Sequence, residues 1–232
     1  MSQTLFPTRL WPTLPVTGET AVYPVQRIFC VGRNYAAHAA EMGNEVDREA
    51  PFYFTKSPFA LLNGGGVLPY PPGTSDCHYE MELVVALGAP AFRIPHADAM
   101  TAVYGYAAGL DMTRRDLQQA AKDKRRPWDL AKDGERLAVI GPLTRAADFG
   151  TPGGQRIALT LDGELRQDAV LSDMIWSVAD LIADLSRFYH LGPGDLIMTG
   201  TPAGVGPVQP GSVLRGTIEG LDPVDLTIGP PE

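Results

Sequence analysis

The chain has 232 residues and carries 19 Lys and Arg against 27 Asp and Glu, a formal net charge of −8 at pH 7. This length is enough for one sizeable domain with a real hydrophobic core. The acidic balance, with no basic run longer than Lys124-Arg125-Arg126, excludes general binding to nucleic acid or to an anionic membrane surface.

Residues 1–25 hold Pro7, Pro12, Pro15 and Pro24 and read as an extended arm or an edge strand pair, leaving residues 26–232 as a single domain. No basic segment followed by an apolar core opens the chain, and Cys30 and Cys77 make neither a disulfide framework nor a CxxC pair, so a reducing cytoplasm is the expected compartment. Residues 27–32 are β-rich and end on Gly32. The alanine-rich residues 34–42 predict a short helix, with Asn34 as its cap and Gly43 as its end. Residues 52–56 read as a strand closed by Ser57-Pro58, and residues 63–74 as a Gly/Pro loop. Residues 79–87 alternate and then turn fully apolar, as a strand entering the core does. Residues 100–110 are apolar and end at Asp111.

A helix is predicted over 178–190, where Val178, Leu181, Ile182, Leu185, Phe188 and Tyr189 fall at helical spacing. Ser177 caps it, with Asp180 three residues on, and Gly192-Pro193-Gly194 stops it. Short strands follow over 196–198, 212–218 and 224–228. Many short strands with two or three helices imply a β-rich α+β fold, as do the 25 Gly and 21 Pro that punctuate the chain. The uncharged stretches 57–75 and 196–214 are broken by Gly and Pro, so neither is a membrane helix. Asn63-Gly64-Gly65-Gly66 lacks the Lys-Ser/Thr and the following helix of a phosphate-binding loop.

If residues 78–85 form a strand, Glu80 and Glu82 face the same side. Two such carboxylates repel unless water screens them or a cation sits between them. A solvated strand face has the same pattern, but the apolar run after Glu82 carries this strand inward. Asp111 closes a second apolar stretch 29 residues beyond Glu82. If the three converge, they make a hard oxygen site suited to Mg²⁺, Mn²⁺ or Ca²⁺. His38 and Glu41, three apart on a helix, share a face. A carboxylate beside imidazole fixes its tautomer and raises its basicity, as a general base acting on water requires; the same spacing also fits a surface pair. Arg115 reads as a structural partner of an acid, Arg114 as solvated, and Trp128 and Trp176 as core or interface anchors.

Six ordered blocks between residue 27 and the C-terminus resemble the fumarylacetoacetate hydrolase family. They are Gly32-Arg33-Asn34-Tyr35-x-x-His38, Phe54-x-Lys56, His78-Tyr79-Glu80-x-Glu82-Leu83, residues 111–118 (Asp-Met-Thr-Arg-Arg-Asp-Leu-Gln), Pro127-Trp128-x-x-x-Lys132, and residues 199–206 (Thr-Gly-Thr-Pro-Ala-Gly-Val-Gly). Within that family the chain is most similar to acylpyruvate-cleaving members. The resemblance implies a β-roll-rich α+β fold, a homodimer, and one Mg²⁺ or Mn²⁺ on Glu80, Glu82 and Asp111. It implies a catalytic His38–Glu41 dyad on a lid and an active-site Lys132. It places Arg33, Lys56, Gln118 and Thr201 along the substrate pocket. The chain departs from the family pattern after Lys132, where Asp133-Gly134 replaces a common Phe-Asp, and at Leu110, where many relatives have Asn.

The implied chemistry is hydrolysis of the C–C bond of a small anionic 2,4-diketo acid. A free Arg or Lys in the pocket favours fumarylpyruvate, with its distal carboxylate, over acetylpyruvate. Decarboxylation of oxaloacetate, or isomerisation and decarboxylation of a dienedioate, uses the same kind of site. A β-rich binding protein with a structural cation is the non-enzymatic alternative. Residues 35–48, polar and containing Gly43, are expected to form a lid that orders over substrate.

Overall fold

The computed structural model describes residues 5–41, 43 and 48–232. Its centre is the strand Met81–Leu87, MELVVAL, buried along its whole length. A strand buried on both faces reads as a near-continuous apolar run. It pairs antiparallel with Val103–Asp111 on one side and with Asp195–Met198 on the other. Outward from the second neighbour come Arg27–Gly32, parallel, and then Phe52–Lys56, antiparallel. Outward from the first come Ala138–Ile140 and Leu61–Asn63.

Alternation along these strands builds two cores, one on each face of the sheet. Phe29, Val31, Leu83, Val85, Leu110, Val139 and Ile197 point to one side. Ile28, Cys30, Val84, Ala86, Ala138, Ile140 and Met198 point to the other. The first face is covered by a second sheet, ordered Glu164–Val170, Arg156–Leu161, Val213–Ile218, Val224–Gly229 and Gly66–Pro69, which contributes Ile157, Leu159, Leu214, Leu226 and Ile228. The second face is covered by the N-terminal residues. Thr13–Pro15 and Val22–Pro24 pair antiparallel, and Leu14, Val16, Tyr23 and Val25 are buried against the sheet. The Tyr23 hydroxyl donates to the Leu87 carbonyl at 2.7 Å and accepts from the Gly194 N–H at 2.9 Å.

The fold is thus α+β with short helices, as expected. No helix among the described residues is long and apolar enough to cross a membrane. Several local readings need correction. The helix starting at Val178 has the expected Ser177–Asp180 capping box but ends at Leu185. The Ser186 hydroxyl donates to the Ala183 carbonyl and accepts from the Ile94 N–H, and Phe188 and Tyr189 lie exposed beyond it. The 63–74 loop contains the strand Gly66–Pro69, which finds its partner only in the distant Val224–Gly229. Asn34 does not cap the helix Ala36–Glu41. It is fully buried; its amide accepts from the Trp176 N–H at 2.7 Å and donates to the Thr199 carbonyl at 2.8 Å.

Candidate active site

Register brings the acids together. Met81 pairs with Leu110 and Glu82 with Gly109. The Asp111 N–H donates to the Glu80 carbonyl at 2.9 Å, so the ladder sets Glu80 and Asp111 side by side at its end. Oxygens of Glu80, Glu82 and Asp111 lie within 4.8 Å of one another. The residues are 5%, 1% and 0% exposed. That burial removes the solvated-face reading, since buried carboxylates require partners.

The partners are three buried cations. Lys132, on the short helix Asp129–Lys132, donates from Nζ to Glu80 Oε2 at 2.8 Å, Asp111 Oδ2 at 2.6 Å and Thr113 Oγ1 at 2.7 Å. Lys56, at the end of its strand, places Nζ 2.8 Å from Asp111 Oδ1 and donates to the carbonyls of Met112 and Lys132. Arg115 donates to Glu80 Oε1 at 2.6 Å and to Gln118 Oε1 at 2.7 Å. Glu82 faces none of these at close range. Among the described residues it accepts one hydrogen bond, from the Gly200 N–H at 2.8 Å. Gly200 has φ +94°, and a side chain there would strike Asn34 and the Val31 carbonyl, so only glycine brings this amide to the carboxylate.

The electrostatics follow. Burial raises the carboxyl of Glu82 well above the usual range, and the charges of Asp111 and Glu80 raise it further. Burial pushes Glu80 the same way, but the Lys132 ammonium and the Arg115 guanidinium outweigh it and hold its carboxyl low. Burial alone would lower Lys132; the charges of Asp111 and Glu80 raise it instead. Three hard oxygen donors with a net negative pole at Glu82 fit a divalent cation such as Mg²⁺ or Mn²⁺.

His38 is buried on the helix Ala36–Glu41, its Nδ1 3.2 Å from Glu41 Oε2. Glu41 in turn accepts from the Gly204 N–H at 3.0 and 3.2 Å. Gly204 has φ +96°, and a Cβ there would fall on the Arg166 carbonyl oxygen. The dyad is therefore anchored to the loop that carries Thr201. Thr201 is buried, and its hydroxyl accepts from Gln167, whose amide oxygen accepts from the Met81 N–H. Of the expected lid over 35–48, Met42 and residues 44–47 lie outside the described residues.

One cleft collects His38, Arg33, Gln118, Lys132, Thr201 and Glu80. It adjoins a cavity of about 560 Å³ lined by Phe52, Phe54, Trp128, Trp176 and Tyr189, with Arg33, Phe54, Trp128 and Lys132 common to both. The structure thus brings together the residues singled out in the sequence, except that Lys56, expected along the substrate pocket, lines neither the cleft nor the cavity and meets the cluster at Asp111. Arg115 pairs with an acid as expected. Arg114 is half-buried and donates to the Leu130 carbonyl; it is not merely solvated. Sequence reasoning missed Lys122 and the cleft-facing place of Trp128. Lys122 lines the same cleft over the Trp128 ring, and burial and the charges of Arg115 and Arg33 lower its ammonium. The spacing Arg115, Gln118, Lys122 was the available signal.

Residues 27–228 match the family described as fumarylacetoacetate (FAA) hydrolase C-terminal. The chain is 50% identical over 193 residues to a fumarylpyruvate hydrolase from Ralstonia sp., covering 82% of this chain and 100% of that one. It is 39% identical over 204 residues to an oxaloacetate tautomerase from Escherichia coli (strain K12), covering 88% and 93%. It superposes with a TM-score of 0.94, at 45% identity, on a crystal structure of fumarylpyruvate hydrolase from Pseudomonas aeruginosa in complex with Mn²⁺ and pyruvate, covering 98% of this chain and 100% of that one.

Proposed function

We propose that this chain, which belongs to the fumarylacetoacetate hydrolase family, is a metal-dependent hydrolase of 2,4-diketo acids of the acylpyruvate class, fumarylpyruvate among them. It cleaves the bond between C3 and C4 and releases pyruvate and a carboxylic acid. The observation that carries the reading is the buried Glu80–Glu82–Asp111 cluster, whose Glu80 lines the same cleft as His38 of the His38–Glu41 dyad.

Glu80, Glu82 and Asp111 would hold Mg²⁺ or Mn²⁺, which when bound supplies a Lewis acid for the developing enolate oxygen. Three acids offset by Lys56, Lys132 and Arg115 form a near-neutral set. A divalent cation added to it leaves excess positive charge, which suits a dianionic substrate.

His38 serves as general base. With Nδ1 toward Glu41, the proton sits on Nδ1 and Nε2 is left to accept a proton from water. The water oxygen bonds to C4. The C3–C4 bond breaks with its electron pair passing to the pyruvate enolate, and the proton on Nε2 returns to C3. The C4 fragment leaves as the carboxylic acid. Lys132, common to cleft and cavity, stabilises the oxyanion at C4 through its charge, its three N–H groups being taken by Glu80, Asp111 and Thr113, and Arg33, Gln118 and Thr201 orient the substrate. Lys56 holds Asp111 and the Lys132 carbonyl in place.

Residues 26–232 act on this reading as one catalytic domain, in a cytoplasmic homodimer whose mass in solution light scattering reads directly. Oxaloacetate tautomerisation or decarboxylation is the competing reading, supported by the identity to the E. coli tautomerase; the intact dyad favours hydrolysis. Purified protein mixed with fumarylpyruvate, acetylpyruvate and oxaloacetate, with and without Mg²⁺ or Mn²⁺, decides. Metal-dependent loss of the enol absorbance with release of pyruvate from an acylpyruvate is expected. Turnover of oxaloacetate alone would overturn the hydrolase assignment.

A further inference from the structure

Lys122 has no part in the chemistry above, yet the fold places it with care. It lies in the last turn of the helix Arg115–Asp123, seven residues after Arg115 and four after Gln118, on the face that turns both into the cleft. Its ammonium sits 5.2 Å from the centre of the Trp128 ring. Across the cleft stands Arg33, half-buried, with the left-handed backbone φ of 61° that a side chain rarely adopts without a local reason. Arg115 and Arg33 both repel Lys122. Arg115 is paired with Glu80; among the described residues, neither Lys122 nor Arg33 has an acid partner.

Two unpaired, half-buried cations facing a third raise the free energy of the site until an anion reaches them. They stand where the polar cleft opens into the aromatic cavity, since Arg33 and Trp128 line both. A diketo acid with its keto-acid end at the Glu80–Glu82–Asp111 pole directs its acyl end to that opening. We propose that Lys122, held over the Trp128 ring, and Arg33 together receive the second carboxylate of a dicarboxylic diketo acid, and so select dianionic substrates over monoanionic ones. This selectivity rests on the acylpyruvate reading for its orientation. A planar, conjugated acyl group suits the aromatic walls beside these cations, and its carboxylate gains charge-assisted hydrogen bonds from both.

Two seven-carbon probes separate selectivity from catalysis. 2-Oxoheptanedioate carries the distal carboxylate and 2-oxoheptanoate lacks it; neither has the C4 carbonyl that hydrolysis needs. Calorimetric titration of the Mn²⁺-loaded protein with each gives an affinity ratio. The expected ratio is about tenfold in favour of the dianion, the scale of one well-placed charge-assisted contact. It should fall to near one in Lys122→Met, return in Lys122→Arg, and fall part of the way in Arg33→Met. Equal affinities in the unaltered protein, or an undiminished ratio in Lys122→Met, overturn the proposal. The hydrolase reading fails separately, by absence of acylpyruvate turnover in a protein that still prefers the dianion.

Discussion

Replacing Lys132 with Met tests whether the ammonium, and not simply apolar packing, holds the acidic cluster together. Methionine keeps the length and volume but removes three donated hydrogen bonds, to Glu80 Oε2, Asp111 Oδ2 and Thr113 Oγ1. Breaking a buried ion pair from one side costs about 3–5 kcal/mol, because the partner is left charged and dry. Here Arg115 still serves Glu80 and Lys56 still serves Asp111, which sets the loss at the lower end. Protonation of one carboxylate also caps it, at about 4 kcal/mol near neutral pH. For a chain of this size each kcal/mol moves the melting temperature by about 2–4 °C. The expected drop in metal-free buffer is therefore about 10 °C by circular dichroism. It should shrink toward pH 5, where protonating a carboxylate costs less, and saturating Mn²⁺ should restore more stability to the variant than to the unaltered protein. A variant melting within about 1 °C of the unaltered protein in EDTA, or one that gains no more from Mn²⁺, would refute the reasoning.

His38→Ala is expected to lose about 10²–10⁴-fold in kcat while still binding Mn²⁺ and pyruvate, measured by steady-state kinetics beside calorimetry. Glu82→Ala and Asp111→Ala should each lose metal, read by metal analysis after dialysis; wild-type content in both would remove the triad. Glu82 also predicts a pH effect. Its folded-state carboxyl is raised above its unfolded value, so the folded state holds more protons across that window. Stability of the EDTA-treated protein should therefore be full below the ordinary carboxyl range and fall as pH rises above it; Glu82→Gln should flatten that fall in denaturant titrations. Amide exchange across residues 35–48 should slow when Mn²⁺ and pyruvate are added together, and equal protection with and without them would count against a lid.

The acids were legible because the residues around them are. Glu80 and Glu82 open a run of Leu83 to Leu87 that can only enter a core, and Asp111 ends another such run. The lysines were legible only through ordered motifs, since no local pattern tells a buried lysine from a solvated one. The helix Arg115–Asp123 was invisible to apolar periodicity for a related reason: the side chains it buries are Arg115 and Gln118, so its inward face is polar and only the polar spacing marks it. The hairpin of Arg156–Leu161 and Glu164–Val170 did carry a signal. Asp162-Gly163 between them has φ values of 53° and 84°, as a two-residue hairpin turn requires. The strand Gly66–Pro69 had none, because its partner lies far along the chain.

The N-terminal strand pair bears on what can fold alone. The family match begins at residue 27, yet Leu14, Val16, Tyr23 and Val25 roof the outer face of the central sheet. A fragment trimmed to the matched segment would bare Ile28, Cys30, Val84 and Ala86 as one contiguous apolar floor, and would strip the Tyr23 hydroxyl from the Leu87 carbonyl. Such a floor invites self-association. The segment that matches the family description is thus shorter, by one short roof, than the unit that folds, and a truncated fragment that precipitates would say nothing about whether the catalytic machinery is sound.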